Sequence, residues 1–302
     1  MKAIVTGGAG FIGSNLTDQL ISKGYDVIIL DDLSTGNVNN INPNATFVNV
    51  DLATVKVDEE FIKLFEGVDY VFHTAAKARV QPSILDPIYY NEQNVNSTVN
   101  VLEAARKAGV KRVVYSASSS CYGNATKMPL TEDMAINPLS PYGLQKYIGE
   151  EYCKMYSEVY GLDTVSLRYF NVYGPRMNFE GAYKLVLAIF IQQMQQGKPL
   201  TITNDGNQRR DFTYVDDIVA ANINAAECKN DLKGEAFNIG TGNNFSVNEL
   251  ADMFGGEKQY GIEVLEPYET LADTSKAREA FNYVPKGNLP EWVERCKVEY
   301  NL

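Results

Sequence analysis

The chain has 302 residues, enough for one large core or for a large lobe carrying a smaller one. Its 27 lysines and arginines stand against 38 aspartates and glutamates, a net charge of −11, so no basic footprint marks a nucleic-acid partner. Four cysteines, far apart and without a C-x-x-C pair, exclude a disulfide framework and a thiolate zinc site and point to a reducing cytoplasm.

The N-terminal MKAIVTGGAG holds an apolar run too short for a signal segment or a membrane span, so neither a targeting segment nor a membrane partner is expected. KAIVT, GGAGFIG and SNLTDQL read as strand, glycine-rich turn and helix. Gly8, Gly10 and Gly13 satisfy G-x-G-x-x-G, and Gly7 adds the spacing G-x-x-G-x-x-G. Glycine there lets the backbone approach a pyrophosphate that faces the helix N-terminus, which makes Gly7, Gly10, Phe11, Ile12 and Gly13 candidate cofactor contacts. A dinucleotide site also needs a carboxylate at the tip of the next strand, and Asp31 in VIILDD stands there, with Asp32 the competing choice. A carboxylate repels a 2′-phosphate, so NAD is favoured over NADP. Asp51, followed by Leu52, sits at the third strand tip, on the adenine side.

The run VDYVFH closes on His73, the one histidine of the chain. A Ser-His-Asp triad or a multi-histidine metal site would have to be built on it; a structural role at a strand end is expected instead, and no metal site. Apolar spacing at Val95, Val99, Leu102 and Ala105 predicts a helix from about 91 to 108, stopped by Gly109. KRVVYS is the next strand, and YSASSSCYG at its end contains neither acid nor base. A second long helix follows the Pro141 breaker and runs to Gly161. Tyr142 and Lys146 share one face of it, and an ammonium near a phenol favours the phenolate and lowers its pKa. LDTVSLRYF is a further strand. These alternating elements predict an α/β fold, a doubly wound parallel Rossmann sheet.

From about 172 the rhythm changes to a Gly/Pro-containing loop, a helix over 182–196 and short alternating elements. The expected division is an NAD-binding lobe over 1–171, with room for a return strand and helix near 205–240, and a smaller α/β lobe, mainly for substrate, over 172–302.

TGGAGFIG, the H-x-A-A of His73 to Ala76, the serine-rich strand end with Tyr122-Gly123, YGLQK, RYFNVYGPR and NDGNQRRDFTYVDDIV together resemble the extended short-chain dehydrogenase/reductases. The branch is that of the sugar-nucleotide epimerases and dehydratases, with closest likeness to the UDP-glucose and UDP-N-acetylglucosamine 4-epimerases. The resemblance runs from residue 1 to about 245 and returns at TLADTSKA, 270–277. It implies an NAD cofactor, a nucleotide-sugar substrate and a homodimer through the helices beginning near 91 and 142. It further implies Ser118 as the catalytic hydroxyl with Ser119 beside it at the sugar, Tyr142 as base and acid, and Lys146 on the nicotinamide ribose. Ala75 and Asn94 fall to the cofactor, Asn171 to the diphosphate or sugar, and Arg210 to a phosphate, with Arg209 the alternative. Ser119 and Ser120 stand where water-eliminating members resemble Asp-Glu, so elimination is not expected and 4-epimerisation through a 4-keto sugar is. A net sugar-nucleotide reductase, and a non-catalytic NAD-binding module lacking the Tyr-Lys pair, are the rival readings.

The resemblance fails between Val247 and Ala272, where this chain is shorter than the family pattern and has no arginine. Arg79 or Arg176 is the expected substitute. Thr270 matches a pocket-wall position where a bulky aromatic resembles a gate against N-acetyl groups; a threonine leaves room, which favours UDP-N-acetylhexosamines while keeping UDP-glucose and UDP-galactose open.

Overall fold

Short apolar runs rich in valine and isoleucine become buried parallel strands, as their lack of alternation requires. The computed structural model describes residues 1–179, 184–264 and 266–302. Strands β1 (Lys2–Thr6), β2 (Asp26–Asp31), β3 (Thr46–Asn49), β4 (Tyr70–His73), β5 (Arg112–Ser118) and β6 (Asp163–Tyr169) join Ala236–Ile239 in one seven-stranded sheet. Every pairing in it is parallel, in the order β3, β2, β1, β4, β5, β6 and then Ala236–Ile239. The order reverses between β1 and β4, which opens a crevice at the carboxyl ends of the strands. The doubly wound sheet expected from the sequence is therefore the fold.

Helices cover both faces. Phe11–Ser22 and Val215–Glu227 pack on one, where Leu16, Leu20, Ile218 and Ala221 meet Val5, Phe72 and Val165. Ser97–Ala108 and Pro141–Tyr160 pack on the other, where Val101, Leu102 and Cys153 meet Ile4, Val71 and Val113. A separate apolar cluster gathers Phe190, Ile191, Leu250 and Trp292, and the chain leaves the sheet for it after β6 and returns through Val215–Glu227 and Ala236–Ile239. The helix expected over 182–196 is observed as Val186–Gln195; residues 182 and 183 lie outside the described residues.

The predicted helix over 91–108 is interrupted. Residues Glu92–Asn96 form a π-turn between Pro87–Asn91 and Ser97–Ala108. The wider turn rotates the face that follows it, so Asn94, Ser97 and Thr98 are buried while Val95 and Val99 are only half-buried. Gly109 ends the helix with φ +71°, as its spacing predicts. The helix after Pro141 runs to Tyr160, capped at its start by the Ser140 hydroxyl on the Gly143 amide and ended by Gly161. It lies close on β5 because residue 149 is glycine: a Cβ there would stand 2.2 Å from the Tyr115 hydroxyl.

Candidate active site

The glycine turn forms the floor of a cavity of about 400 Å³ at the sheet crevice. Gly7, Gly10, Phe11, Ile12, Gly13, Asp31, Asp32, Asp51, Leu52 and Ala75, all named from the sequence, line it, and so does Arg79. A Cβ on Gly13 would lie 2.2 Å from the Gly7 carbonyl oxygen, so the turn closes only with glycine at that position. The buried Asp31 carboxylate accepts from the Ala9 amide at 3.0 Å and the Leu33 amide at 2.8 Å. Burial raises its pKa, and those two amides work against the rise. Asp51 is held at the β3 tip by the Ala53 amide at 2.9 Å and the Thr54 hydroxyl at 3.0 Å. A glycine cradle at a helix N-terminus with carboxylates at two strand tips fits a dinucleotide: Gly7 to Gly13 would hold the pyrophosphate, and Asp31 or Asp32 a ribose.

Beside this cavity lies the serine strand end. Ser118 Oγ accepts from the Ser120 amide at 3.2 Å and the Ser120 hydroxyl at 2.8 Å, and its hydroxyl pulls the pKa of the Tyr142 phenol down. With two bonds accepted, its own proton remains available to donate. Ser119, half-buried, begins the short 3₁₀ turn Ser119–Tyr122. The Tyr142 backbone amide donates to Ser83 Oγ at 3.1 Å, which fixes the start of the helix.

The pKa expectation for Tyr142 needs correction. Burial raises it, while the Ser118 hydroxyl and the Arg79 guanidinium pull it down less than burial lifts it. Lys146 sits elsewhere: its Nζ donates to the Ser116 carbonyl at 2.6 Å and lies 4.7 Å from the Tyr115 ring centroid. Burial brings Lys146 down to about 7. His73 is structural in its contacts, 2.7 Å from Thr6 Oγ1 and 3.0 Å from Thr98 Oγ1, and burial takes its pKa down to about 3.

Asn94 does not line the cavity. Its Oδ1 accepts from the Lys77 amide at 2.8 Å, and its Nδ2 donates to the Lys77 carbonyl at 3.2 Å and to Gln145 Oε1 at 3.0 Å. The side chain is thus engaged by protein on every side.

Just past β6, Asn171 Nδ2 donates to the Asp211 carbonyl at 3.1 Å and to Thr270 Oγ1 at 3.5 Å. Those two sequence-named residues are neighbours. The fully buried Asp211 ties them down, accepting from Thr241, Gly242 and Ala272 amides at 2.8, 3.0 and 3.1 Å. Arg210 forms an ion pair with Glu266 at 2.5 Å, Arg209 pairs with Glu249 at 3.0 Å, and Arg176 with Asp18 at 2.6 Å. Arg79 is in none of the ion pairs among the described residues.

Sequence reasoning passed over Lys77, Tyr90 and Asn178, which also line the cavity. Lys77 follows His73 by four residues and could have been found by asking what comes after H-x-A-A. Asn178 comes after β6, and no local signal brings it to the cofactor cleft.

A dinucleotide crevice abutting a Ser-Tyr pair with a buried lysine one turn on defines an enzyme of the extended short-chain dehydrogenase/reductase type. Residues 3–240 match the NAD dependent epimerase/dehydratase family. The chain is 44% identical over 300 residues, 97% of its length and 96% of the relative's, to a Methanocaldococcus jannaschii protein provisionally named a UDP-glucose 4-epimerase. The structure of Thermotoga maritima UDP-glucose 4-epimerase with UDP-glucose superposes with a TM-score of 0.92 at 38% identity, covering 100% of this chain and 98% of that one. That of the Methanobrevibacter ruminantium UDP-N-acetylglucosamine 4-epimerase, with UDP-N-acetylmuramic acid, gives 0.91 at 34% identity and coverage of 99% and 97%. The chain belongs to the NAD-dependent epimerase/dehydratase family, as a nucleotide-sugar 4-epimerase. Among the described residues no helix is long and apolar enough to cross a membrane.

Proposed function

We propose that the chain interconverts the C4 epimers of a UDP-hexose, with Tyr142 as the group that takes and returns the 4-hydroxyl proton. The observation that carries this reading is a strand end without any carboxylate, where the Ser118 hydroxyl pulls the Tyr142 pKa down, beside the glycine cradle of the cofactor cleft. NAD, which Gly7 to Gly13 and Asp31 or Asp32 would hold, would supply the hydride acceptor for C4 and the hydride for its return. Tyr142 takes the hydroxyl proton as the C4 hydrogen leaves with its electron pair, so the 4-keto sugar is short of one proton and one hydride, and both are restored in the return half. Ser118, whose own proton is available to donate, hydrogen-bonds the carbonyl as it develops. Lys146, held at the Ser116 carbonyl, is the proposed contact of the nicotinamide ribose. The sugar turns over, and Tyr142 gives the proton back. Neither Ser119 nor Ser120 can remove a ring proton and expel water, which disfavours dehydration.

Arg210 is the proposed diphosphate contact, reached by exchange of Glu266 for substrate, and Arg79 is the proposed second cation. Arg176, committed to Asp18, is the weaker candidate. Thr270 beside Asn171 supports a pocket wall without an aromatic gate, and so favours N-acetylated sugars alongside UDP-glucose. A homodimer through the helices near 91 and 142 belongs to the same proposal; Leu144 and Val159 are exposed apolar residues of the second helix.

Incubation of purified protein with UDP-N-acetylglucosamine, and separately UDP-glucose, without added cofactor tests it. Formation of the 4-epimer with no free NADH is expected. Net appearance of NADH would replace this reading with a dehydrogenase.

A further inference from the structure

Lys77 bridges the two banks of the cofactor cleft. Its backbone stands after β4, on the bank of Ala75 and Ala76, while its ammonium reaches the loop after β2 on the opposite bank. There it donates to Ser34 Oγ in a short hydrogen bond and stands 3.9 Å from Asp32 Oδ2. Its aliphatic stem is covered, leaving the residue 8% exposed, and the Tyr89 ring centroid lies 5.8 Å from the ammonium. The root of the bridge is fixed as firmly as the tip. Both backbone polar groups of Lys77 are held by the buried Asn94 amide, at 2.8 and 3.2 Å, and Asn94 is in turn held by Gln145 one residue before Lys146.

The glycine turn that would hold the pyrophosphate lies between those banks, because β1 lies between β2 and β4 in the sheet. A cation spanning this gap therefore lies across the exit of a dianionic ligand. We propose that Lys77, with Asp32 and Ser34 as its far anchor, is a latch that closes over the bound dinucleotide and sets how slowly it leaves. The latch acts at the same site as the proposed reaction and rests on that reading, since an enzyme that must return the hydride it has taken cannot release the reduced cofactor between the two transfers. It also assigns Asn94 a role in the cofactor site without contact: positioning the latch.

The test uses holoenzyme purified without added NAD. Bound dinucleotide is counted after denaturation, and its release is timed with an excess of an NAD-consuming trap. Lys77→Met and Asp32→Asn should each release NAD about tenfold faster than wild type, a difference of ~1.4 kcal/mol in the release barrier. The double variant should be no faster than Lys77→Met, because the two residues act as one device. Lys77→Arg should restore slow release. Release at the wild-type rate from Lys77→Met overturns the latch. So does fast release from Lys77→Met with wild-type release from Asp32→Asn, which would mean that the lysine acts on the pyrophosphate alone. If Lys77→Met does not fold, Ser34→Ala and Asp32→Asn carry the test from the other bank. Since the readout is cofactor release and not turnover, failure here leaves the epimerisation reading standing, and failure to epimerise leaves the latch measurable.

Discussion

The Lys146 ammonium donates to the Ser116 carbonyl at 2.6 Å, on the helix that carries Tyr142 one turn earlier. The lysine is buried and titrates at about 7, so in the protein without cofactor it is poised between charged and neutral near physiological pH. Between about pH 7 and the ordinary lysine value of 10.5 the unfolded chain keeps a proton that the folded chain gives up. Stability of the stripped protein therefore rises with pH across that window. Denaturant unfolding at pH 7 and pH 9 should show the rise in wild type and a smaller one in Lys146→Met; equal rises would mean that the lysine titrates normally.

Tyr142→Phe keeps the ring and its packing and removes the proton-transferring oxygen. Turnover should fall by about a hundred- to ten-thousand-fold while NAD content is unchanged. Retained activity would move the base to another group.

His73 is buried between two threonine hydroxyls and titrates at about 3, against the ordinary 6.5. Its folded pKa is depressed, so the unfolded chain binds the extra proton between those values and stability falls as pH falls through them. The slope from this group approaches about 1.4 kcal/mol per pH unit. His73→Asn, which does not titrate there, should unfold along a flatter acid limb. An unchanged limb would show that other groups govern acid unfolding.

Gly13→Ala places a Cβ 2.2 Å from the Gly7 carbonyl oxygen and 2.8 Å from Thr74 Oγ1, both inside contact distance. The turn must open, with a loss of about 1–3 kcal/mol of stability and of bound NAD. Gly10→Ala meets the same oxygen only at 3.1 Å. It should be milder in thermal melting, and a reversed ranking would contradict the turn geometry.

Thr270→Tyr puts an aromatic ring beside Asn171. The kcat/KM for UDP-N-acetylglucosamine should drop about 10–200-fold relative to that for UDP-glucose. An equal loss on both would count against the gate and point to damage at the Asp211 tether, which holds the Ala272 amide two residues on.

The parallel sheet and its glycine turn were legible because their signals are local. Gly7 to Gly13, Asp31 and Asp51 each sit at a strand end that the apolar runs mark, and a parallel sheet brings all strand ends to one crevice. Tyr142 and Lys146 were legible as a pair at helical spacing, but their electrostatic relation was not. Whether an ammonium faces a phenol or a carbonyl depends on how the helix lies on β5, and that depends on Gly149 meeting Tyr115. Val95 and Val99, read from helical spacing, are only half-buried for a related reason: the π-turn around Asn94 changes which side chains face inward, and helical periodicity does not record a one-residue insertion in a turn.

By itself the sequence determined the parallel α/β class of the sheet, the glycine turn after its first strand and the residue types available for proton transfer, since period, spacing and glycine placement act within a few residues of one another. Only the tertiary structure decided what those groups face. Asn171 meets Thr270 across 99 residues, Arg210 meets Glu266 across 56, and Lys77 reaches back 43 residues to Ser34. Charge and hydrogen-bond partners at such separations follow from how the strand tips and the segments after β6 pack, and packing is a property of the folded whole.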